Sequence, residues 1–325
     1  MTRPADITDV SVIIAAWNAD DFIAAAVRSA LEQTGVSLEV IVIDDASTDA
    51  TLETAKAAAA GDPRLVFARL DENVGPSGAR NHAFTLANGR FLAILDADDR
   101  MLPDRLSRLV AFADATASDI VLDNMTRTDS HGVPTGPFLK GPAAGEARSI
   151  DLAEYLDPAT AEALGASPGF LKPLFRTECL RRLGVTYDET LRNSEDYYFV
   201  ATLIAEGARM AYTPTADYLY TVRDGSLSHR LNPELTARIV EAERAFQDAY
   251  RNRMTAATRV AARQRLKHVS DSHALECAIA ALKARNPVSL AAGLATRAGS
   301  APHVIGRLAS IAATKVMGRS DPAER

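Results

Sequence analysis

The sequence predicts an α/β protein with a mostly parallel sheet, helices on both faces of that sheet, and a helical C-terminal extension. Apolar runs typical of buried strands alternate with helical patterns up to residue 125, and acidic segments follow two of those strands. From residue 232 onward an alanine- and arginine-rich helical pattern replaces this alternation. We therefore expect one domain over residues 1–231, with halves 1–125 and 126–231, and an extension over 232–325.

Five apolar runs mark the strands of the first half: "VSVIIAAW", "LEVIVIDD", "RLVFARL", "RFLAIL" and "DIVLDNM". The segments between them have helical spacing. We expect Asn18 or Asp20 to cap the first helix, and Pro103 to stand near the first turn of the fourth. Because strands and helices alternate, the strands are expected to pair in parallel and to bind ligands at their carboxyl ends.

The second half is less regular. A glycine- and proline-rich stretch follows Met125, a helix is expected to begin after a cap at Ser194, and "RMAYTPTADYLYTV" has the aromatic content of a strand. The regular alternation of the first half therefore ends at Met125.

Composition places the chain among globular proteins, with 325 residues, 47% hydrophobic and 24% charged. No apolar run approaches the ~18–20 residues of a membrane-spanning helix, and the N-terminus lacks the apolar stretch of a secretory signal. Two cysteines are too few for a disulfide framework or a cysteine zinc site. These features predict a cytoplasmic protein.

Charge is distributed unevenly along the chain. Residues 1–230 carry 21 Lys or Arg against 34 Asp or Glu, whereas residues 231–325 carry 15 against 8. The basic extension is either a solvated helical cap or a surface that contacts an anionic membrane, which would make the protein peripheral on the inner face of the cell membrane. No nucleic-acid partner is expected, because no binding motif is present and the main domain is acidic.

Asp96, Asp98 and Asp99 directly follow the apolar run "FLAIL". Like charges at the end of a buried strand repel one another, so they are either screened by solvent or meant to hold a cation. Asp96 and Asp98 are two residues apart and leave a strand on the same side. Carboxylates so placed are suited to a divalent cation such as Mg²⁺.

Two other segments carry groups that fit a nucleotide. Asp44 and Asp45 end the second strand, where a carboxylate can accept a hydrogen bond from a base or a ribose. Arg80 lies in "NVGPSGARNHA", which predicts an anion site at the first turn of a helix. The glycine-rich fingerprints of NAD-binding and P-loop proteins are absent from the sequence.

Glu195 and Asp196 stand at the start of a predicted helix, where acids either favour the helix dipole or take part in catalysis. Both interpretations stay open from the residues alone. His229 follows the flexible stretch "RDGSLS", which would be able to close over a site.

In order along residues 10–230, the blocks "VSVIIAAWN", "VIDDASTDAT", "NVGPSGARNHA", "FLAILDADD", "KPLFRTECL", "NSEDYYF" and "YLYTVRDGSLS" resemble those of family 2 glycosyltransferases with the GT-A fold. The resemblance implies transfer of a sugar from a UDP-sugar, with inversion, to a saccharide or a lipid-linked saccharide in exopolysaccharide or cell-surface glycan synthesis. It departs from the family pattern where the first strand ends in Ala-Ala-Trp-Asn, since Pro or Thr, then Tyr, then Asn are common there, and at Ala46, where Gly is common.

The resemblance also implies roles by position. Asp196 is implied as the general base on the acceptor hydroxyl. The donor would be held by Ala16, Trp17, Asp44 or Asp45, Arg80, Asp96 and Arg223. A divalent metal, Mg²⁺ or Mn²⁺, would be held by Asp98, with Asp96 and His229 as further candidates.

Two other function classes are weighed against a transferase. A nucleotidyltransferase that makes nucleotide sugars would be expected to carry a glycine-rich basic loop after the first strand, and here that loop is the acidic "WNADDF". A non-catalytic nucleotide-sugar-binding module would be expected to have lost Asp98 or Asp196, and both are present.

Overall fold

The computed structural model describes residues 8–223 and 232–286, together with positions 288, 290, 298–302 and 304–308. The chain divides into two compact units, residues 1–226 and 227–325. The boundary expected at 231/232 adjoins residues outside the described part and stays a prediction.

The first half of the first unit alternates strands and helices, as the sequence predicts. Its strands β1 to β4 pair in parallel in the order β3-β2-β1-β4. β1 and β2 are buried along almost their whole length, because both faces of the sheet centre are covered. The elements are β1 (Val10–Ala16), α1 (Ile23–Leu31), β2 (Leu38–Asp44), α2 (Thr51–Ala59), β3 (Leu65–Arg69), α3 (Gly75–Leu86), β4 (Phe91–Ile94), β5 (Arg100–Met101), α4 (Arg105–Thr116) and β6 (Ile120–Thr128).

The second half extends the same sheet. β6 runs past the expected division at 125/126, so the two halves share one ten-stranded sheet, which continues β4-β9-β6-β10-β5. Two short 3₁₀ helices, Pro142–Gly145 and Pro168–Phe170, lie in this half. The remaining elements are β7 (Pro134–Pro137), β8 (Arg148–Ile150), α5 (Leu152–Leu156), α6 (Pro158–Leu164), β9 (Leu174–Arg176), α7 (Thr177–Leu183), α8 (Glu195–Ala205) and β10 (Met210–Thr221).

Strand β9 runs antiparallel between β4 and β6, which the strand and helix pattern does not predict. Its register pairs Phe91 with Arg176 and Ala93 with Leu174. The residues that precede β9 therefore lie beside the residues that follow β4. This reversal brings Lys172 to the edge where the acidic segment Asp96–Asp99 emerges.

Strand β10 contains an irregularity between Thr213 and Tyr218. Thr213 pairs with Asp123 and Tyr218 with Met125, so β10 advances five residues while β6 advances two. Paired residues on neighbouring strands share a face, so Thr213 and Tyr218 face the same side although five residues separate them. Arg105 lies against the Tyr218 ring on that side, 4.9 Å from its centroid.

The described part of the second unit is mainly helical, as expected from residue 232 onward. Its long helices are α9 (Pro233–Tyr250) and α10 (Ala256–Lys283). They pack through one apolar cluster of Ile239, Val240, Val269 and Leu266, and a second cluster centres on Ala274, Ala278 and Val304. Among the described residues no helix combines the length and apolar character needed to cross a bilayer.

Two expected helix caps are wrong, and the position of a proline near a third helix is now specified. Asn18 does not cap α1, and its side chain instead accepts a hydrogen bond from the Thr48 N–H at 2.9 Å, which ties two loops together. Ser194 precedes α8 in the left-handed region, with φ 64°, and donates to Asn193 instead of capping the helix. Pro103 lies outside α4, before the N-cap residue Asp104.

Candidate active site

The segment after β4 gathers three carboxylates. One oxygen each from Asp96, Asp98 and Asp99 can be chosen so that all three lie within 4.8 Å of one another. Asp99 is buried and accepts hydrogen bonds from the Tyr218 hydroxyl at 2.7 Å and from the Thr221 N–H at 2.8 Å. Tyr218 thus holds the segment from the far strand β10, and its oxygen also accepts the Asp96 N–H.

Asp98 and Asp99 are difficult to ionise in this setting. Burial, followed by repulsion from Asp96, raises the pKa of Asp98, although the charge of Arg223 opposes the rise. Burial and the charges of Asp96 and Asp98 raise the pKa of Asp99 well above its usual range. Arg223 lies 2.7 Å from Asp98 and stacks over the ring of Phe22. A cation added here would relieve the repulsion between these carboxylates.

Two buried cations bridge Asp96 to Asp196, 100 residues away in the sequence. Arg80 lies 3.0 Å from Asp96 Oδ1 and 2.9 Å from Asp196 Oδ1. Lys172 lies 2.9 Å from Asp96 Oδ2 and 2.8 Å from Asp196 Oδ2. Each carboxylate therefore has one oxygen on the guanidinium and the other on the ammonium, which closes a ring of four ion pairs.

This ring reverses the effect of burial on the two acids. Burial pushes the pKa of Asp196 up, but Arg80 and Lys172 outweigh it and lower the pKa to about 2. Lys172 and Arg80 likewise hold the pKa of Asp96 below its usual value against the effect of burial. Both carboxylates are thus held in the ionised form.

Glu195 and Tyr187 also contact this ring of ion pairs. Glu195 lies 3.0 Å from Arg80, and burial followed by the nearby charge of Asp196 raises its pKa. The Tyr187 hydroxyl hydrogen-bonds to Asp196 and helps to keep its pKa low. Glu195 is thus an ion-pair partner of Arg80 as well as the first residue of α8.

Asp44 and Asp45 are both buried and differ in the groups that they contact. Asp44 is fully buried: its Oδ1 accepts the Ser47 N–H, and its Oδ2 lies 3.1 Å from Arg69. Asp45 keeps 3% of its surface, and its two oxygens accept the N–H groups of Val74 and Gly75, each at 2.8 Å. The same carboxylate therefore orients the loop between β3 and α3.

Trp17 is the most exposed part of the predicted base site. It follows β1 and leaves 54% of its surface open, whereas Ala16 at the strand end is buried. The Ala16 carbonyl accepts the Asp45 N–H at 2.8 Å, which places the end of β1 beside the end of β2. An indole next to a strand end in this way has a face available for stacking.

The predicted position and role of Arg80 are wrong, and the site contains residues that the sequence did not single out. Arg80 lies in the second turn of α3 and not the first, and its guanidinium is directed at three carboxylates instead of forming an anion site at the helix start. Lys172, Tyr187 and Asp99 were missed as site residues. Lys172 opens the block "KPLFRTECL", which was its only signal. His229 lies outside the described residues.

The side chains present fit a divalent cation. When all are ionised, five carboxylates face three cationic side chains, Arg80, Lys172 and Arg223. Two negative charges remain, which one divalent cation would balance. Asp98 is the acid best able to ligate directly, since both oxygens of Asp96 are already held by cations.

Comparison with known proteins identifies the family. Residues 11–156 match the profile described as Glycosyl transferase family 2. The chain is 37% identical over 252 residues, 77% of this chain and 72% of the relative, to the succinoglycan biosynthesis protein ExoO of Rhizobium meliloti. ExoU of the same organism is 37% identical over 270 residues, 82% of this chain and 77% of that protein. The chain belongs to glycosyltransferase family 2.

Solved structures agree with this assignment. This chain matches the structure of S. aureus TarS 1–349 in complex with UDP with a TM-score of 0.58 and 25% identity. The match covers 74% of this chain and 64% of TarS 1–349. A mannosyltransferase of Pyrobaculum calidifontis matches with a TM-score of 0.56 and 20% identity over 95% of this chain, which is a likeness of fold. The GT-A fold expected from the sequence is confirmed, and the protein is a glycosyltransferase.

Proposed function

We propose that this glycosyltransferase moves a sugar from a UDP-sugar to a hydroxyl group of a saccharide or lipid-linked saccharide, with inversion, in exopolysaccharide or cell-surface glycan synthesis. The observation that carries the proposal is the arrangement of acids in the site. Asp98 and Asp99 lie together with raised pKa values, while Asp196 is kept ionised beside them by Arg80 and Lys172. Such an arrangement offers one place for a cation and another for a base.

The donor side rests on Trp17, Asp45 and Arg223. The exposed Trp17 indole is available to stack on the uracil, and Asp45 would accept the uracil N3–H while it keeps its loop contacts. Arg223, which pairs with Asp98 here, is near enough to the same site to neutralise charge that develops on the departing diphosphate.

A divalent cation, Mg²⁺ or Mn²⁺, would be held by Asp98 with Asp96 or Asp99, and when bound it supplies positive charge for the leaving diphosphate. The predicted part played by His229 remains a proposal, since that residue lies outside the described part of the chain.

The acceptor side rests on Asp196. A single displacement with inversion needs no enzyme nucleophile, but it needs a group that takes the proton of the attacking hydroxyl. We assign this proton to an Asp196 oxygen. Asp196 Oδ1 is paired with Arg80 and Oδ2 with Lys172. An acceptor hydroxyl must therefore replace one of these ion pairs or hydrogen-bond to an oxygen that keeps its cation.

A donor screen tests the function. Purified protein with Mg²⁺ or Mn²⁺ is incubated with UDP-, GDP- and ADP-sugars, and release of the nucleoside diphosphate is measured with and without saccharide acceptors. We expect turnover with a UDP-sugar. Consumption of a sugar 1-phosphate with a nucleoside triphosphate would instead indicate a nucleotidyltransferase, and binding without turnover would indicate a binding module.

Trp17→Ala sharpens the donor assignment. Stacking on a base contributes about 1–3 kcal/mol, so UDP affinity measured by calorimetry should fall by about 5- to 150-fold. Phe67→Ala, which removes an exposed aromatic ring from β3, is the matched control and should leave affinity unchanged. Equal affinity of the intact protein for UDP, GDP and ADP would contradict the assignment to uracil.

We also propose that the second unit contacts an anionic membrane surface on the cytoplasmic side. Arg259, Arg263 and Lys267 are exposed and recur every four residues on α10, so they form one basic stripe. Val260, 47% exposed, lies next to this stripe. Basic side chains flanked by apolar ones are suited to the interface of an anionic bilayer.

Vesicle binding tests this contact. The double variant Arg259→Glu/Arg263→Glu should bind vesicles of anionic lipid at least about tenfold more weakly, at ~1 kcal/mol per basic residue, and binding of the intact protein should weaken with salt. Arg28→Glu/Arg182→Glu makes the same change of charge in the first unit and is the control. If the intact protein ignores anionic vesicles at low salt, the second unit is a helical cap.

A further inference from the structure

Lys172 is a buried cation whose charged end points into the catalytic site. Only 7% of its surface is exposed, and its ammonium lies 2.9 Å from Asp96 and 2.8 Å from Asp196. One of these acids follows β4 on the donor side, and the other begins α8 on the acceptor side. Lys172 therefore joins the two parts of the site that must act on one reaction.

The backbone of Lys172 is fixed independently of its ammonium group. Arg105 donates to the Lys172 carbonyl oxygen at 2.6 Å, and the same guanidinium is paired with the fully buried Asp123. Pro173 follows and restricts the chain further. Lys172 is thus held at both ends, which is the condition for placing a partner group accurately.

A merely structural role does not account for this arrangement. A buried lysine carries a desolvation penalty of several kcal/mol, and an apolar residue would fill the same space without it. The ammonium is paired instead with Asp96 and Asp196, the two acids on which the proposed chemistry depends.

We propose that Lys172 is a positioning residue that acts through Asp196. Its ammonium holds Asp196 Oδ2 and so orients the carboxylate toward the acceptor hydroxyl. This inference rests on the proposed function of Asp196. In this role Lys172 need not touch the substrate. Its position follows from the antiparallel strand β9, whose start lies beside the end of β4. Arg80 holds the opposite oxygen, so the two cations together set the rotation of the carboxylate.

The test compares Lys172→Met and Lys172→Arg, each made in the intact protein and in Asp196→Asn. Lys172→Met keeps an unbranched side chain, one atom shorter, and removes its charge. In the intact protein we expect kcat to fall about 10- to 100-fold, with the affinity for UDP within about threefold. Lys172→Arg should recover a large part of kcat, and Lys140→Met, at an exposed position, should behave as the parent.

When Lys172→Met is added to Asp196→Asn, kcat should fall by less than about twofold below that of Asp196→Asn alone. The reason is that the effects of residues that act through one group are not additive. An equal proportional loss in both backgrounds, or a parallel loss of UDP affinity, would overturn the proposal and make Lys172 a structural residue. A parent enzyme that releases no UDP with any acceptor would instead remove the proposed function itself. Normal kcat in Lys172→Met with an active parent would overturn the inference alone.

Discussion

Asp98 and Asp196 are the same residue type in one site, yet their surroundings push them in opposite directions. Asp98 is partly buried beside other acids with a single arginine partner, and its pKa is raised. Asp196 is partly buried between a guanidinium and an ammonium, and its pKa is lowered to about 2. Burial raises the pKa of both acids, so the number and position of the neighbouring cations decide whether the net shift is up or down.

This difference separates two tasks. An acid with too few counter-ions is stabilised by a cation from solution, whereas an acid with two internal cations has no need of one. Under the proposed function, an external divalent ion would therefore be held at Asp98 and not at Asp196, although both ligands are aspartates. Removing Asp98 should therefore impair cation binding, and removing Asp196 should impair the proton transfer.

The largest effect is expected at Asp98. Asp98→Asn keeps the shape of the side chain and removes the charge that would hold the cation, so activity should fall by about 10³-fold or more, since a catalytic metal contributes several kcal/mol. Steady-state UDP release and calorimetric Mn²⁺ titration measure the loss. Asp104→Asn, an exposed acid before α4, is the control. Full activity of the Asp98 variant in excess EDTA would refute metal dependence.

Asp196→Asn comes next. It removes the proton acceptor, so kcat should fall by roughly 10²–10⁴-fold, while UDP and Mn²⁺ affinities stay close to those of the parent. The variant also leaves Arg80 and Lys172 with fewer counter-charges, so the melting temperature is expected to drop. Single-turnover transfer together with UDP titration separates the chemical step from binding and folding.

Glu195→Gln is the comparison for that variant. Glu195 pairs with the buried Arg80 at 3.0 Å and starts α8, so Glu195→Gln should lower stability through the lost ion pair but cost little activity. Thermal melts and kcat are to be measured side by side for both variants. If Glu195→Gln is inactive and Asp196→Asn turns over normally, Glu195 is the base.

The smallest effect concerns pH. The pKa of Asp98 lies above the ordinary value of 3.8, so its carboxyl stays protonated over a wider acidic range. Protons compete with the cation, so Mn²⁺ affinity should fall as pH is lowered, by up to about tenfold per pH unit once the carboxyl is protonated. Calorimetry from about pH 7.5 to about pH 4.5 measures this. A flat affinity, or an unchanged pH dependence in Asp98→Asn, would contradict it.

The sequence was sufficient to find the acids at the ends of β2 and β4 and the acid pair that begins α8. Apolar runs show where buried strands end, and parallel strands bring those ends to one edge. Asp45, Asp96, Asp98 and Asp196 were identified in this way or through the family blocks. These signals are local, and the sheet assembles them in a manner that the alternation of elements already implies.

The counter-ions could not be predicted in the same way. Lys172 reaches the site because β9 runs against its neighbours, and three residues of strand carry too little periodicity to reveal their direction. Arg80 was placed at a helix start because a glycine-rich turn precedes it, but α3 begins at Gly75 and carries Arg80 one turn further. The acid that each cation contacts depends on tertiary packing: Arg80 and Asp196 are 116 residues apart in the sequence, and Lys172 and Asp196 are 24 apart.

The irregularity in β10 has a consequence for how the chain tolerates changes of length. Side chains on a regular strand alternate between faces, so Tyr218, five residues after Thr213, would normally lie on the opposite face. The irregular residues 214–217 cancel that alternation and turn the Tyr218 hydroxyl toward Asp96 and Asp99. Insertions or deletions in this short stretch are therefore expected to be selected against like substitutions in the active site, although no residue in it touches the chemistry.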